Sequence, residues 1–356
     1  MKAAVIVNPG LENLAQQELA ESWQVESVIE GSVLIFEIEA KKVKELTKLQ
    51  SIRRIVLPFG TVIKDKVVLD QKFKFKDQVK NYLKNNTLKE HSKTETEELK
   101  LKIEVENVKG QENRIKISKK IAEELFPFLE KSKIKAKIDY KQPEVLIIAH
   151  NIGSQIIVGL DYTGKELDRR EYRLFPQSAS FKGDLAYYIL RKSGYRKNER
   201  LLVGFCKDGA IAIEAALYSL QGSSQGNGSQ GTIEAFDLNT ANVIAARKNA
   251  KIAKVQLNIN KYSLEDLDLK YGQGFFNRLI FQVTRKDEEQ LTELYYQANQ
   301  ILAPKGTLLL LGRKTWEISI SDRFKLLAEE EFARGESVHK LVLLEKKSGS
   351  KKESKK

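Results

Sequence analysis

The chain has 356 residues, with 61 Lys and Arg against 48 Asp and Glu, a net charge of +13; it is long enough for two or three domains, and its charge favours a polyanionic partner, nucleic acid or an anionic membrane surface. Cys206 is the single cysteine, which excludes an internal disulfide and a multi-cysteine metal site, and His91, His150 and His339 form no ligand-spaced pair, so no metal is expected. No apolar run reaches spanning length, and MKAAVIVNPG turns polar too soon for a signal peptide, so a cytoplasmic location without membrane is the default expectation.

In chain order, residues 2–7 read as a strand, Asn8-Pro9-Gly10 as a turn and Leu11 to Ser22 as an amphipathic helix. Val25 to Ile38 reads as two strands about Gly31, Ala40 to Leu49 as a helix and Ile55 to Val62 as a strand. This βαββαβ order predicts a ferredoxin-like domain over residues 1–65. A second module spans residues 66–164. It holds helices over Phe75 to Asn85 and Ser118 to Leu129, with Ser118 as N-cap, and strands over Leu99 to Val105, Glu144 to Ala149 and Gln155 to Leu160. Lys89 to Glu98 reads as a surface loop, and Lys72, Lys74 and Lys76 as one basic strand face.

Residues 165–183 form a basic, tyrosine-bearing connector. The pattern then becomes α/β over residues 184–345. Helices are predicted over Leu185 to Lys192, Ile211 to Leu220, Ala241 to Ala253, Glu288 to Leu302 and Arg323 to Glu331. Strands are predicted over Leu201 to Val203, Thr232 to Phe236, Leu279 to Val283, Thr307 to Gly312 and Val338 to Leu344. Residues 221–231 are low in complexity, and residues 346–356 form a Lys-rich tail expected to be disordered.

The stretch LLVGFCKDGAIAIEAA, residues 201–216, is a strand, a glycine-bearing turn and a helix. Such a unit opens a doubly wound domain and places free helix N–H groups at the carboxyl end of its first strand. Asp237 ends the next strand. Read alone, it is either an acceptor for both hydroxyls of a ribose or a helix N-cap.

Together with VNPGLENLAQQEL, VGLDYTGKELDRREYRL, FCKDGAIAIEAAL and FDLNTANVIAARKNAKIAKV, these features make the chain resemble the THUMP-containing RNA methyltransferases. The nearest members methylate guanosine N2 in tRNA or large-subunit rRNA. The resemblance implies an α/β chain with ferredoxin-like and THUMP domains followed by a class I Rossmann-like methyltransferase domain. It implies S-adenosylmethionine as cofactor, held by Phe205, Cys206, Asp208, Gly209, Asp237 and Leu238, with Asp237 on the ribose. It implies tRNA or rRNA as partner. Arg169, Arg170, Tyr172, Arg173 and Lys182 of the connector then become the RNA candidates, combining phosphate-binding charge with a stacking ring.

The chain departs from the family pattern at two motifs. Where the family has the form D-P-F-C-G-S-G, residues 203–209 read VGFCKDG. Val203 removes a carboxylate, Lys207 replaces a glycine at a turn that favours φ > 0, and Asp208 offers one acid in return. The Lys207 ammonium would also face a sulfonium. The fourth-strand motif N/D-P-P-Y falls at Gln282, Val283 and Thr284, and no proline lies between Pro176 and Pro304. The resulting expectation is a tRNA-binding protein with weakened or lost chemistry, serving as a scaffold for a protein partner. An active enzyme with an altered site and a regulatory binder of an adenosyl metabolite are the alternatives.

Overall fold

A computed structural model of the chain describes residues 1–86, 98–221, 231–283 and 287–347. The chain divides into two compact units, Met1–Leu167 and Asp168–Lys356. No helix among the described residues is long and apolar enough to cross a membrane.

The first unit runs β1 (Lys2–Ile6), α1 (Glu12–Trp23), β2 (Ser27–Glu30), β3 (Val33–Glu37), a 3-10 helix (Ala40–Lys48), β4 (Arg54–Ile63), β5 (Lys66–Leu69) and α2 (Phe75–Asn86). It continues with β6 (Leu99–Glu106), α3 (Gln111–Lys131), β7 (Ala136–Ile138), β8 (Val145–Asn151) and β9 (Ile156–Asp161). Strands β2, β3, β1 and β4 are neighbours in that order and all antiparallel, the ferredoxin-like arrangement. β4 also pairs with β9, so one sheet continues through β9, β8, β6 and β7. Arg54 ties these strands together beneath the surface, donating to Glu106 at 3.1 Å and to Asp161 at 2.9 Å.

Several expectations are corrected here. The segment read as a helix from Ala40 is a 3-10 helix. Ser118 lies inside α3, whose N-cap is Gly110; residues 111–116 are exposed, so they carry no apolar period to reveal the first turns. Lys72 and Lys74 lie outside any strand and Lys76 lies in α2, which dissolves the proposed basic strand face. Of the Lys89 to Glu98 loop, all but Glu98 lies outside the described residues, as do residues 222–230 and 348–356.

The second unit contains α4 (Gly183–Lys192), β10 (Leu201–Gly204), α5 (Ala210–Leu220), β11 (Ile233–Asp237), α6 (Thr240–Ile252) and β12 (Asn258–Lys261). A 3-10 turn (Leu264–Asp266) leads into α7 (Leu267–Lys270), followed by β13 (Phe276–Gln282), α8 (Glu288–Ile301), β14 (Leu302–Arg313), β15 (Phe324–Arg334) and β16 (Ser337–Lys346). The sheet order is β12-β11-β10-β13-β14-β16-β15. The first five strands are parallel, and β16 and β15 close the sheet as an antiparallel hairpin. The winding reverses between β10 and β13, which makes their carboxyl ends the ligand crevice of such a sheet.

The central strands are continuous apolar runs because both faces are covered; Leu202, Phe236, Leu279, Phe281, Leu308 and Leu310 are fully buried. The largest correction is β15. FKLLAEEEFAR is rich in helix formers, yet it pairs along its length with β16. The partner strand buries Leu341, Val342 and Leu344, and a tight turn through Gly335 at φ 60° joins the two. Pairing with a β-favouring neighbour overrides the local preference. β12 escaped the sequence reading because it is a short polar strand, NINK, of which Ile259 alone is buried.

Candidate cofactor and RNA site

β10 ends at Gly204, and the chain turns through Phe205 at φ 55°, Lys207 at φ 54° and Gly209 at φ 81° before α5 begins. Gly209 suits its left-handed conformation. Lys207 does not, and a non-glycine residue there costs about 1 kcal/mol. The Phe205 ring is buried 5.5 Å from Phe236 and 6.3 Å from Phe281, so it fixes the turn to the core rather than offering a face to a ligand. Cys206 is also buried; burial, with Asp237 and Asp208 nearby, pushes its thiol well above the ordinary range. It is a small core residue and not a nucleophile.

Asp237 is 3% exposed. Its Oδ2 accepts the Lys207 N–H at 3.0 Å. Its Oδ1 accepts the Asn239 N–H at 2.9 Å and the Asn242 side-chain amide at 3.0 Å. A carboxylate has about four acceptor positions, so three are already engaged. The N-cap of α6 is Asn239, whose side chain accepts from the Ala241 N–H, which corrects the capping alternative for Asp237. Leu238 is exposed beside it.

Asp208 is buried and faces the connector. Its Oδ2 accepts from Arg173 Nε at 2.6 Å and from Ser180 Oγ at 2.7 Å. It therefore does not restore the carboxylate lost at Val203. Arg170 forms a fork with Glu214 of α5, Nε to Oε1 at 2.8 Å and Nη2 to Oε2 at 3.2 Å, and the Tyr172 hydroxyl donates to Glu214 Oε1 at 2.8 Å. Burial opposes the Arg170 charge, but the Glu214 carboxylate outweighs it and holds the guanidinium above its usual pKa. Burial and Glu214 both raise Tyr172. A Cβ at Gly183 would sit 2.4 Å from Arg170 Cγ, so this glycine is what lets the arginine pass.

The connector reading is corrected accordingly. Tyr172 is 5% exposed and offers no ring face to a base, while Arg170 and Arg173 are internal anchors. Arg169 is exposed. Lys182 is half-exposed and donates to Asp168 at 2.8 Å. What the sequence could not show was the pair of buried acids, Glu214 and Asp208, that draw these cations inward.

Gln282 ends β13, and its amide nitrogen donates to the Ala179 carbonyl at 2.9 Å. A carbonyl only accepts, so Gln282 Oε1 is the end of the amide left to act as an acceptor. Val283 packs against the core, and Thr284 lies outside the described residues. The carboxyl ends of these strands enclose a cleft of about 650 Å³ whose lining includes Lys207, Asn239, Asn242, Gln282, Arg313 and Arg334. Trp316 and His339 also line it, and no Asp or Glu does among the described residues. Arg334, the β15 residue of the cleft, went unseen in the sequence because it lies beyond the Arg323 to Glu331 segment read as a helix, and β15 was not foreseen.

With this geometry in view, residues 170–303 match the family described as RMKL-like, methyltransferase domain. The matched stretch lies within the second unit. Two curated relatives are similar over part of the chain. The tRNA (guanine(6)-N2)-methyltransferase of Methanocaldococcus jannaschii is 35% identical over 85 residues, 24% of this chain and 22% of that protein. The ribosomal RNA large subunit methyltransferase K/L of Shewanella woodyi is 43% identical over 72 residues, 20% of this chain and 10% of that protein. The matched stretches thus span less than a quarter of either relative. The crystal structure of TrmN from Thermus thermophilus shares the fold over 97% of this chain and 99% of its own, with a TM-score of 0.69 and 18% identity. SMU.472, solved in complex with SAH, covers 98% and 99% with a TM-score of 0.66 and 16% identity.

Proposed function

We propose that the chain is a tRNA-binding protein with a ferredoxin-like domain over residues 1–65, a THUMP domain over residues 66–164 and a guanosine-N2 methyltransferase-type domain whose chemistry is weakened or lost. The names of the two curated relatives support RNA as the substrate class, with tRNA favoured and rRNA the alternative. The net charge of +13 supports a polyanionic partner. Arg169 and Lys182 are connector cations exposed at the surface and are the ones this reading sets against phosphate.

S-adenosylmethionine is the cofactor of this reading; it would supply the methyl group as a sulfonium. The fold shared with SMU.472 supports an adenosyl site at the β10–β11 edge, with Asp237, Leu238 and the turn from Phe205 to Gly209 around it. The fit is reduced on the polar side. Asp237 has one acceptor position left where a ribose diol needs two, Asp208 is turned away, and Val203 has no carboxylate.

The single observation that carries the loss of chemistry is the state of Gln282. A guanosine amine is a poor nucleophile because its lone pair is delocalised into the ring, so the site must hold it with acceptors as charge builds on nitrogen. Gln282 offers one such acceptor, Oε1, while its nitrogen is committed to Ala179. That remaining acceptor is what favours the second reading, an active enzyme with an altered site.

Calorimetric titration with S-adenosylmethionine, beside filter binding of tRNA, tests the proposal. The expected result is weak or absent cofactor binding, together with tRNA binding that falls about tenfold or more between roughly 50 and 200 mM salt. Tight cofactor binding contradicts the weakened site. Absence of tRNA binding at low salt contradicts the RNA reading.

A further inference from the structure

The β14–β16–β15 edge of the cleft carries a set of residues that neither the methyl-transfer chemistry nor the adenosyl contacts use. The register pairs Arg313 of β14 with His339 of β16, and His339 with Phe332 of β15. Directly paired residues share a sheet face, and Arg334, two residues beyond Phe332, returns to that face. Phe181 packs across them, 5.9 Å from Phe332 and 5.8 Å from His339, with the Arg334 guanidinium 5.3 Å above its ring. The Arg313 guanidinium lies 6.0 Å from the Trp316 ring. An aromatic floor thus holds two guanidinium groups at one wall of a cleft large enough for a nucleotide.

Among the described residues, neither Arg313 nor Arg334 makes an ion pair and the cleft lining contains no carboxylate. The local field reflects this. Burial and the neighbouring Arg334 and Arg313 push His339 below the ordinary histidine range. Arg334 is itself lowered by burial, Arg173 and Arg313, against the opposing charge of Asp208. Two convergent, unpaired guanidiniums with Lys207 across the cleft suit a group that is compact, doubly charged or bidentate, and rich in acceptor oxygens.

We propose that this wall is a phosphate-binding subsite, with Arg313 and Arg334 gripping the phosphate oxygens of a ligand whose remaining part lies in the cleft. The phosphate belongs either to a free nucleotide or to the backbone of an RNA entering the crevice. The subsite does not depend on methyl transfer or on S-adenosylmethionine binding.

The test compares adenosine 5′-monophosphate with adenosine by calorimetry on the full chain, and tRNA by filter binding, for the unmodified protein, Arg313→Gln and Arg334→Gln. A charge-assisted hydrogen bond to phosphate corresponds to about tenfold or more in affinity. If the source is a nucleotide, the monophosphate binds about tenfold or more tightly than adenosine, and each variant removes that preference. If the source is RNA, the two small ligands do not differ, but both variants weaken tRNA binding and lower its salt dependence. Equal binding of the two small ligands, with tRNA binding unchanged in both variants, overturns the proposal. Thermal melts accompany each variant. Arg313 is exposed and its replacement is expected to leave the fold intact, so Arg313→Gln decides the matter if Arg334→Gln proves unstable.

Discussion

The backbone N–H of Lys207 donates to Asp237 Oδ2 at 3.0 Å. The residue that stands in place of a glycine after β10 is therefore also the residue that occupies the acid at the end of β11. The lysine side chain is what sets this left-handed turn apart from a glycine turn; the amide bond to Asp237 is a backbone bond that a glycine would also make.

Lys207→Gly relieves the left-handed strain at φ 54° and should stabilise the second unit by about 1 kcal/mol. Urea denaturation followed by circular dichroism measures this. An unchanged or lower midpoint would mean that the turn stores no strain at this position.

Glu214→Gln leaves the Arg170 guanidinium in its buried setting without a full counter-charge and removes the charge beneath the Tyr172 hydroxyl. Breaking one partner of a buried pair costs about 3–5 kcal/mol. Arg170→Glu should be equally disruptive. Arg169→Glu, at an exposed position, should keep the melting temperature while weakening tRNA binding. Comparable melting temperatures for Arg170→Glu and the unmodified chain would contradict the anchoring role.

His339 carries a pH dependence. Its folded pKa lies below the ordinary value of 6.5 because of burial and the two arginines. As pH falls through 6.5, the unfolded chain takes up the proton first, so the unfolded state binds more protons and stability declines. The contribution is fully present above pH 6.5 and is lost as pH falls toward and through the depressed folded pKa. His339→Gln should flatten this part of the stability profile. A slope of opposite sign, or one unaffected by the substitution, would show that His339 is not held neutral.

Much of the second unit was legible because parallel strands buried on both faces are short apolar runs, as at Leu201–Gly204 and Leu308–Leu311, and because the helices between them keep a clear period. β15 was not legible, since Leu, Ala and Glu favour a helix until β16 is beside them. The turn at Lys207 was legible in kind, because a side chain in a glycine position implies a left-handed residue. The connector was misread for a different reason. Arg170, Tyr172 and Arg173 have the composition of an RNA-facing surface, and their burial depends on Glu214 and Asp208, whose approach is a tertiary fact. Arg313 and Arg334, far apart in sequence, meet only through the register of three strands.

The central claim is that the methyltransferase-type domain has lost most of its chemistry because the amine of a target guanosine finds one acceptor, Gln282 Oε1, where orientation and charge stabilisation require more. Misplacement by about 1 Å can by itself cost on the order of a hundredfold in rate. The most direct measurement is incorporation of radiolabelled methyl from S-adenosylmethionine into unmodified tRNA, with Gln282→Ala alongside. The account predicts no incorporation above background for either protein. Robust incorporation by the unmodified chain, abolished in Gln282→Ala, would contradict it and show that a single amide suffices.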